Sequence, residues 1–273
     1  MKVLVTGANG QLGFDVIKLL DFEGIDYLGT DKETLDITNN EQVKWVISNY
    51  NPDVVIHCAA YTAVDTAEDQ RELCYSINVL GTKYVAEACR ETDAKMVYIS
   101  TDYVFDGEGN EPFRVTDKPN PINYYGKTKY EGEVEVQKIL DKYFIVRISW
   151  VFGSNGNNFV KTMLRLGKEN NEVSVVADQI GSPTYTYDLA KLLIKIIRTD
   201  MYGVYHATNE GYCSWYEFAC EIFKQAGVTV KVNPIKTEDY PTKARRPKNS
   251  RLYKSPLIEL ENWEDALKHY INT

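Results

Sequence analysis

The sequence contains few of the residues that cross-link a chain or bind a metal ion. Its 273 residues include five cysteines, none of them in a CxxC pair, and three histidines, His57, His206 and His269. An odd number of scattered cysteines in a chain of this length predicts reduced thiols rather than a disulfide framework. Because the histidines are equally scattered, we predict no metal site.

Positive charge and long apolar runs are scarce as well. Lysine and arginine number 31 against 39 aspartates and glutamates, which leaves a formal net charge of −8. A nucleic-acid-binding protein normally needs a concentrated basic face, so this balance argues against that class. No apolar run approaches the roughly 18 residues of a membrane span, and no signal-peptide pattern precedes the first strand. We therefore expect a cytoplasmic protein that binds neither nucleic acid nor membrane.

The sequence does have a regular alternation of strand and helix patterns. Short apolar runs predict strands at residues 2–6, 27–29, 54–56, 96–99 and 144–146, and the clearest helical patterns between them cover residues 67–90 and 125–140. Strands that alternate with helices are typical of parallel βαβ units. We therefore predict an α/β fold with a Rossmann-type doubly wound parallel sheet.

The alternation weakens after Trp150, where loops rich in glycine, asparagine and proline appear. We therefore predict a dinucleotide-binding domain at residues 1–150. Residues 151–273 are predicted to form mainly a smaller substrate-binding lobe, with some segments returning to the first domain. The oligomeric state stays open, with a homodimer as one candidate.

A glycine-rich turn lies between the first predicted strand and the first predicted helix. Its GxxGxxG pattern would allow a tight turn, close approach of the backbone to a pyrophosphate at the helix N-terminus, and close packing of helix on strand. An ordinary glycine turn is the alternative, but the position as the first βα turn favours a dinucleotide. The cofactor-binding residues predicted in this turn are Gly7, Asn9, Gly10, Gln11, Leu12 and Gly13.

A carboxylate follows the second predicted strand, about 20 residues after the glycine turn, where a ribose-binding acid is expected. This residue is Asp31, and it favours NADH. Lys32 follows at once and could accompany a 2′-phosphate, so the cofactor is predicted to be NADH or NADPH. Asp36 and Ile37 are predicted to lie along the adenine, with a plain loop aspartate as the alternative.

A YxxxK motif places Tyr125 and Lys129 four residues apart at the start of a predicted helix, and therefore on one helix face. A free tyrosine has a pKa of about 10. A neighbouring lysine cation would lower that value, which makes Tyr125 a candidate general acid for a ketone oxygen. The motif also arises by chance, and this chain has 20 tyrosines.

Hydroxyl side chains at the end of an earlier predicted strand strengthen the catalytic interpretation, because ligands collect at the carboxyl edge of an open parallel sheet. The hydroxyl of Thr101 could hydrogen-bond a substrate carbonyl and stabilise the developing alkoxide. Ser100 is the rival, but its side chain is predicted to point to the other face of the strand.

The glycine turn, the Ser/Thr and the YxxxK motif, in this order, resemble the extended short-chain dehydrogenase/reductase family. The resemblance covers essentially the whole chain, and residues 53–65, 100–107 and 124–129 carry most of it. It implies that the chain reduces the 4-keto group of a dTDP-linked sugar, dTDP-4-dehydro-L-rhamnose, with NADH or NADPH. It further implies a catalytic set of Thr101, Tyr125 and Lys129, the last two also contacting the cofactor, and a cofactor cleft lined by Ala59, Ala60 and Tyr61.

The resemblance also implies residues on the substrate side. Trp150 could pack against the sugar or the thymine, with a buried structural role as the alternative. Arg245 and Arg246 offer planar forks for phosphate oxygens, although a solvated basic loop would look the same. Asn158 and Gln179 are further candidate polar contacts.

Other interpretations stay open at this point. The chain could reduce or epimerise a different keto-sugar nucleotide, or it could be a catalytically silent dinucleotide-binding regulatory subunit. The complete set of Thr101, Tyr125 and Lys129 argues against the silent subunit. Glu131, Glu133 and Glu135 on the predicted Tyr125 helix are interpreted as a solvated helix face.

Overall fold

The computed structural model describes residues 1–254 and 258–273. Its α-helices are α1 (Gln11–Phe22), α2 (Asn40–Tyr50), α3 (Arg71–Tyr75), α4 (Thr82–Glu91), α5 (Tyr124–Ile139), α6 (Phe159–Glu169), α7 (Thr186–Ile196), α8 (Trp215–Gln225) and α9 (Trp263–Ile271). Its strands are β1 (Lys2–Thr6), β2 (Asp26–Thr30), β3 (Val54–His57), β4 (Lys95–Thr101), β5 (Tyr143–Ile148), β6 (Val151–Phe152), β7 (Glu172–Val176), β8 (Ile180–Gly181), β9 (Thr184–Tyr185), β10 (Gly203–His206), β11 (Cys213–Ser214) and β12 (Lys231–Ile235).

The main sheet has six parallel strands in the order β10-β5-β4-β3-β1-β2. The five strands predicted from apolar runs are all present in it, so the predicted doubly wound sheet is confirmed. The chain first moves outward from β1 to β2 and then crosses back to β3. This reversal beside β1 creates the crevice in which ligands of such sheets bind.

One apolar layer covers each face of the sheet, because consecutive side chains of a strand point to opposite faces. On β1, Val3 and Val5 pack into a layer with α1 and α7. Leu4 between them packs into the opposite layer, with α2, α4 and α5. Both faces are therefore buried, which explains why the strands appear in the sequence as nearly continuous apolar runs.

The helix predicted at residues 67–90 is present from Arg71 onward, but it is not one regular α-helix. The structure has a 3₁₀ turn at Thr66–Glu68, the short helix α3, a π-helical segment at Ser76–Gly81 and then α4. Within the π-helical segment Asn78 is buried, and its side chain bonds the amide of Tyr61 at 2.8 Å. The helical pattern predicted regular α-helix through Asn78, whereas in the structure Asn78 lies in a π-helical segment and makes a tertiary hydrogen bond.

A third apolar cluster joins β6, α6, β7, α8 and α9 in the C-terminal half. The predicted boundary at residue 150 stays a prediction, although two elements beyond it lie with the main sheet: β10 pairs with β5, and α7 packs on α1. Within residues 1–254 and 258–273, no helix is long and apolar enough to cross a membrane.

Candidate active site

A cavity of about 1000 Å³ opens along the carboxyl edge of the sheet. Its wall includes the glycine turn after β1, the loops after β2 and β3, the end of β4 and the first turns of α5. Most of the predicted cofactor and catalytic residues therefore meet in one place, although they come from separate parts of the chain.

The glycine turn is built so that larger residues do not fit. Gly7 has a φ of 67°, and a Cβ there would lie 2.7 Å from the backbone nitrogen of Ala59. A Cβ on Gly13 would collide with the carbonyl oxygen of Gly7. Gly10 precedes α1 without a capping side chain, so the first amides of α1 are left for an anionic group, as a pyrophosphate requires.

The carboxylate of Asp31 is held at the end of β2. Its Oδ2 accepts a hydrogen bond of 2.6 Å from the Asn9 side chain, and its Oδ1 accepts the amides of Glu33 and Thr34, each at 3.0 Å. The hydrogen bonds from Thr34 lower the pKa of Asp31. Asp31 and Lys32 both line the cavity, so a carboxylate for a ribose hydroxyl and a cation for a 2′-phosphate lie side by side.

The remaining predicted cofactor residues divide between the wall and its surroundings. Asp36, Ile37, Ala59 and Ala60 line the cavity. Tyr61 is absent from its wall as far as the described residues go. The Tyr61 hydroxyl instead donates to the Gln70 side chain at 3.0 Å, because the loop after β3 turns toward α3.

The three predicted catalytic residues all line the cavity. Thr101 ends β4, while Tyr125 and Lys129 lie on the first turns of α5. Asn123 caps α5 by accepting the amide of Gly126 at 2.8 Å. A Cβ on Gly126 would collide with the carbonyl oxygen of Tyr103, so α5 begins in close contact with the loop that follows Thr101.

Burial dominates the electrostatics of the pair on α5. It raises the pKa of Tyr125, and the charge of Asp102 adds to this. Burial also lowers the pKa of Lys129 to about 7, with Glu133 opposing the shift. The predicted lowering of the Tyr125 pKa by Lys129 is therefore wrong for this structure, because desolvation dominates and Lys129 is not among the groups that shift this pKa. The phenol stays protonated, which is the form a proton donor needs.

Asp102 is a cavity residue whose role the sequence interpretation missed. It is 4% exposed, and its Oδ1 accepts the Thr101 hydroxyl at 2.9 Å. Its Oδ2 is buried without a well-formed hydrogen bond from the described residues. Burial raises the pKa of Asp102 to about 6, although the nearby Ser250 side chain favours the charged form. The sequence signal that could have identified Asp102 is its position directly after the predicted catalytic Thr101 at the end of a strand.

Ser100 points away from Thr101, as the alternation of strand side chains predicted. Its hydroxyl donates to Oε1 of Glu133 at 2.5 Å. Glu133 is 1% exposed, so its interpretation as part of a solvated helix face is wrong. Only Glu131 and Glu135 of that group remain partly exposed, in pairs with Lys127 and Lys138.

Trp150 lines the cavity from the C-terminal half, with a φ of 48° in the left-handed region. Its ring stacks on Trp215 with centroids 3.6 Å apart and an angle of 12° between the planes. Trp215, which also lines the cavity, was not singled out in the sequence because it stands alone at the start of α8. The two indoles together form an aromatic wall beside the catalytic residues.

Comparisons with known proteins identify the family. The model described as RmlD substrate binding domain matches residues 1–273. The dTDP-4-dehydrorhamnose reductase of Aggregatibacter actinomycetemcomitans is 45% identical, with 98% of this chain and 97% of that protein covered. The chain belongs to the dTDP-4-dehydrorhamnose reductase family.

Two further relatives are similar to the chain over its whole length. The crystal structure of the Bacillus anthracis dTDP-4-dehydrorhamnose reductase in complex with NADP is 50% identical, with a TM-score of 0.97 over 100% of this chain and 99% of that chain. The spore coat polysaccharide biosynthesis protein SpsK of Bacillus subtilis is 40% identical over 99% of this chain and 96% of that protein. The similarity therefore extends over nearly the full length of this chain and of each relative.

The substrate-side candidates of this reductase family member are not gathered as tightly as its catalytic set. Asn158 caps α6 by accepting the amide of Lys161 at 3.0 Å, and Gln179 donates to the Thr237 hydroxyl at 3.2 Å. Neither lines the cavity within the described chain. Their local hydrogen bonds explain both residues without a substrate.

The two arginines of the basic segment differ from each other. Arg246 donates to Oδ2 of Asp65 at 2.7 Å, and the amide of Ala244 bonds the same carboxylate at 2.9 Å. This pairing ties the basic segment to the loop after β3 and occupies the guanidinium predicted to bind phosphate. The Arg245 side chain is exposed, and neither arginine is part of the cavity wall in the described residues.

Proposed function

We propose that this chain reduces the 4-keto group of dTDP-4-dehydro-L-rhamnose to form dTDP-L-rhamnose, with NADPH or NADH as the reductant, in the synthesis of nucleotide sugars for cell-surface polysaccharide. The observation that carries the proposal is the meeting of Thr101, Tyr125 and Lys129 in one cavity with the glycine turn. The full-length relatives that carry the name of this activity support it.

The residues around the cavity fit a nicotinamide dinucleotide. The first amides of α1 would receive the pyrophosphate, and Asp31 or Lys32 would contact the adenosine ribose or its 2′-phosphate. Ile37 and Ala59 offer apolar surface along the same wall. When bound, the reduced nicotinamide supplies a hydride for the keto carbon.

The side chains of the chain itself would handle the oxygen of the keto group. Tyr125 would donate the phenolic proton to O4, since a phenol is protonated at neutral pH. The Thr101 hydroxyl would turn from Oδ1 of Asp102 to donate to the same oxygen and stabilise the negative charge that develops on it. Lys129 would hold the nicotinamide ribose and, in its charged form, stabilise the tyrosinate left after proton transfer.

The substrate would enter from the side of the aromatic wall formed by Trp150 and Trp215. An indole face provides a flat apolar surface for a sugar or a base. Exposed Arg245 would approach the diphosphate. A homodimer and a cytoplasmic location stay predictions.

The test is the loss of reduced-nicotinamide absorbance when the protein is mixed with NADPH or NADH and freshly prepared dTDP-4-dehydrorhamnose. We expect oxidation that requires the sugar and falls by about 10²- to 10⁴-fold in Tyr125→Phe, the range of general acid catalysis. The control is Tyr124→Phe, which removes the hydroxyl from the neighbouring residue, and it should keep wild-type turnover. Wild-type turnover in Tyr125→Phe would refute the general-acid assignment. Absence of turnover with this sugar but activity with another keto-sugar nucleotide would reassign the substrate.

A further inference from the structure

A fully buried polar cluster lies directly behind the catalytic residues and takes no part in the mechanism above. It consists of Ser100 on β4, Arg147 on β5, His206 on β10 and Glu133 on α5, each less than 5% exposed. Ser100 and Arg147 are register partners, and so are Arg147 and His206. The three strand residues therefore form one row across the carboxyl ends of adjacent strands, and Glu133 closes the row from the helix.

Every member of this buried polar cluster is bonded to another. Arg147 binds Glu133 through two parallel hydrogen bonds, Nε to Oε1 at 2.9 Å and Nη2 to Oε2 at 2.7 Å. Ser100 donates to the same Oε1 at 2.5 Å. His206 meets Arg147 at 3.5 Å and the carbonyl oxygen of Tyr253 at 3.2 Å. Because a carbonyl can only accept, Nδ1 of His206 carries the proton and Nε2 faces the guanidinium.

We infer that Glu133, held by Arg147, is a positioning residue for the proposed reduction: it fixes the distance between Thr101 on β4 and the Tyr125 and Lys129 pair on α5. The inference rests on the proposed function. Glu133 follows Lys129 by four residues and therefore lies on the same face of α5. Its bond to Ser100 reaches the residue immediately before Thr101. One carboxylate thus joins the two elements that carry the catalytic set.

The same carboxylate is the charge that favours the ammonium form of Lys129. The other groups around Lys129 carry no full negative charge at neutral pH. Burial raises the pKa values of the Cys58 and Cys74 thiols and keeps His57 neutral. The Lys129 Nζ lies 4.1 Å from the centroid of the Tyr98 ring. Glu133 opposes the desolvation that lowers the pKa of Lys129. Without that carboxylate, Lys129 would lose its proton at a lower pH.

The decisive variant is Glu133→Gln, with Glu131→Gln as a matched control on the exposed side of the same helix. We expect Glu133→Gln to lower kcat by about 10- to 100-fold, since a displacement of about 1 Å in a catalytic group has this effect. The alkaline limb of its pH profile should move about one unit toward acid, because a nearby charge shifts a pKa by about that much or more. Glu131→Gln should keep the wild-type kcat and profile.

Two further measurements separate positioning from mere stability. The double variant E133M/R147M replaces the ion pair with apolar side chains, a change that usually preserves folding; we expect it to fold and to keep the low kcat.

The affinity for NADPH, measured by nicotinamide fluorescence across pH, does not require the sugar. The alkaline limb of this affinity profile should move toward acid in Glu133→Gln but not in Glu131→Gln. Recovery of wild-type kcat by the double variant, or identical NADPH profiles for the two single variants, would overturn the inference. Failure of the wild type to reduce the sugar would count against the proposed function only, because the NADPH profiles still decide this one.

Discussion

Replacing Gly7 by alanine should destabilise the fold as well as the cofactor site. The residue has a φ of 67°, and the added methyl group would lie 2.7 Å from the backbone nitrogen and 2.8 Å from the Cα of Ala59. Both atoms belong to the backbone that follows β3, so no side chain can rotate away to relieve the contact. The clash can be relieved only by moving the turn or the strand end.

The magnitude follows from two separate costs. A non-glycine residue in the left-handed region costs roughly 1–2 kcal/mol, and the smaller entropy of the unfolded alanine chain offsets about 0.4–1 kcal/mol of this. Forcing an extra methyl group into a packed site adds about 1–3 kcal/mol. Gly24 isolates the first cost, because its φ is 64° and a Cβ there would meet nothing within 4 Å. We expect Gly7→Ala to lower the free energy of unfolding by about 1–3 kcal/mol more than Gly24→Ala, which is the overpacking cost alone.

Urea unfolding followed by far-UV circular dichroism measures this difference directly. NADPH titration of the same samples should show weakened binding for Gly7→Ala and wild-type binding for Gly24→Ala, because only Gly7 lines the cavity. If the two variants lost equal free energy of unfolding, the close approach of Gly7 to Ala59 would not constrain the fold, and the reasoning would be refuted.

Three other predictions concern charge around the cavity. The folded pKa of Asp102 is raised from 3.8 to about 6, so its ionisation costs stability as pH rises through this window. Asp102→Asn should therefore stabilise the fold by about 2–3 kcal/mol above pH 6 and by little below pH 4, as urea titrations at both pH values would reveal; an equal effect at both would contradict this. Lys161→Met removes the hydrogen bonds of 2.7 and 2.8 Å from Nζ to the carbonyl oxygens of Ser154 and Gly156. Because Gly156 lines the cavity, this variant should raise the Kd for NADPH about tenfold or more, the effect of losing a charge-assisted hydrogen bond worth about 1.5–3 kcal/mol; an unchanged Kd would show that these bonds do not shape the cofactor site. Arg245→Ala should raise the KM for the nucleotide sugar about tenfold by losing one charge-assisted hydrogen bond. Arg246→Ala should also lower the melting temperature, because Asp65 loses its partner. Steady-state kinetics and thermal unfolding test both, and a lower melting temperature in Arg245→Ala but not in Arg246→Ala would contradict these roles.

Much of this protein could be predicted from local sequence alone. Five of the six strands of the main sheet appear as apolar runs because both sheet faces are buried, and this requirement acts on each strand separately; the edge strand β10 is only partly buried and was not predicted. The glycine turn is equally local, since its φ value and its close contacts exclude a side chain. The order of Thr101 before Tyr125 and Lys129 could likewise be recognised, because one strand end and one helix turn carry the whole set.

The tertiary structure decided which charged residues are buried and which partners they have. Glu133 resembles its neighbours Glu131 and Glu135 in sequence, yet only Glu133 faces Arg147 across the sheet edge. The partner of Arg246 is Asp65, which lies far away in the chain. Local sequence cannot specify such pairings or the desolvation that accompanies them, because both depend on which segments pack together. For the same reason the pKa of Tyr125 rises where the YxxxK motif alone predicted a fall: the motif identifies the neighbouring cation, but only the packed fold determines how much water surrounds the phenol.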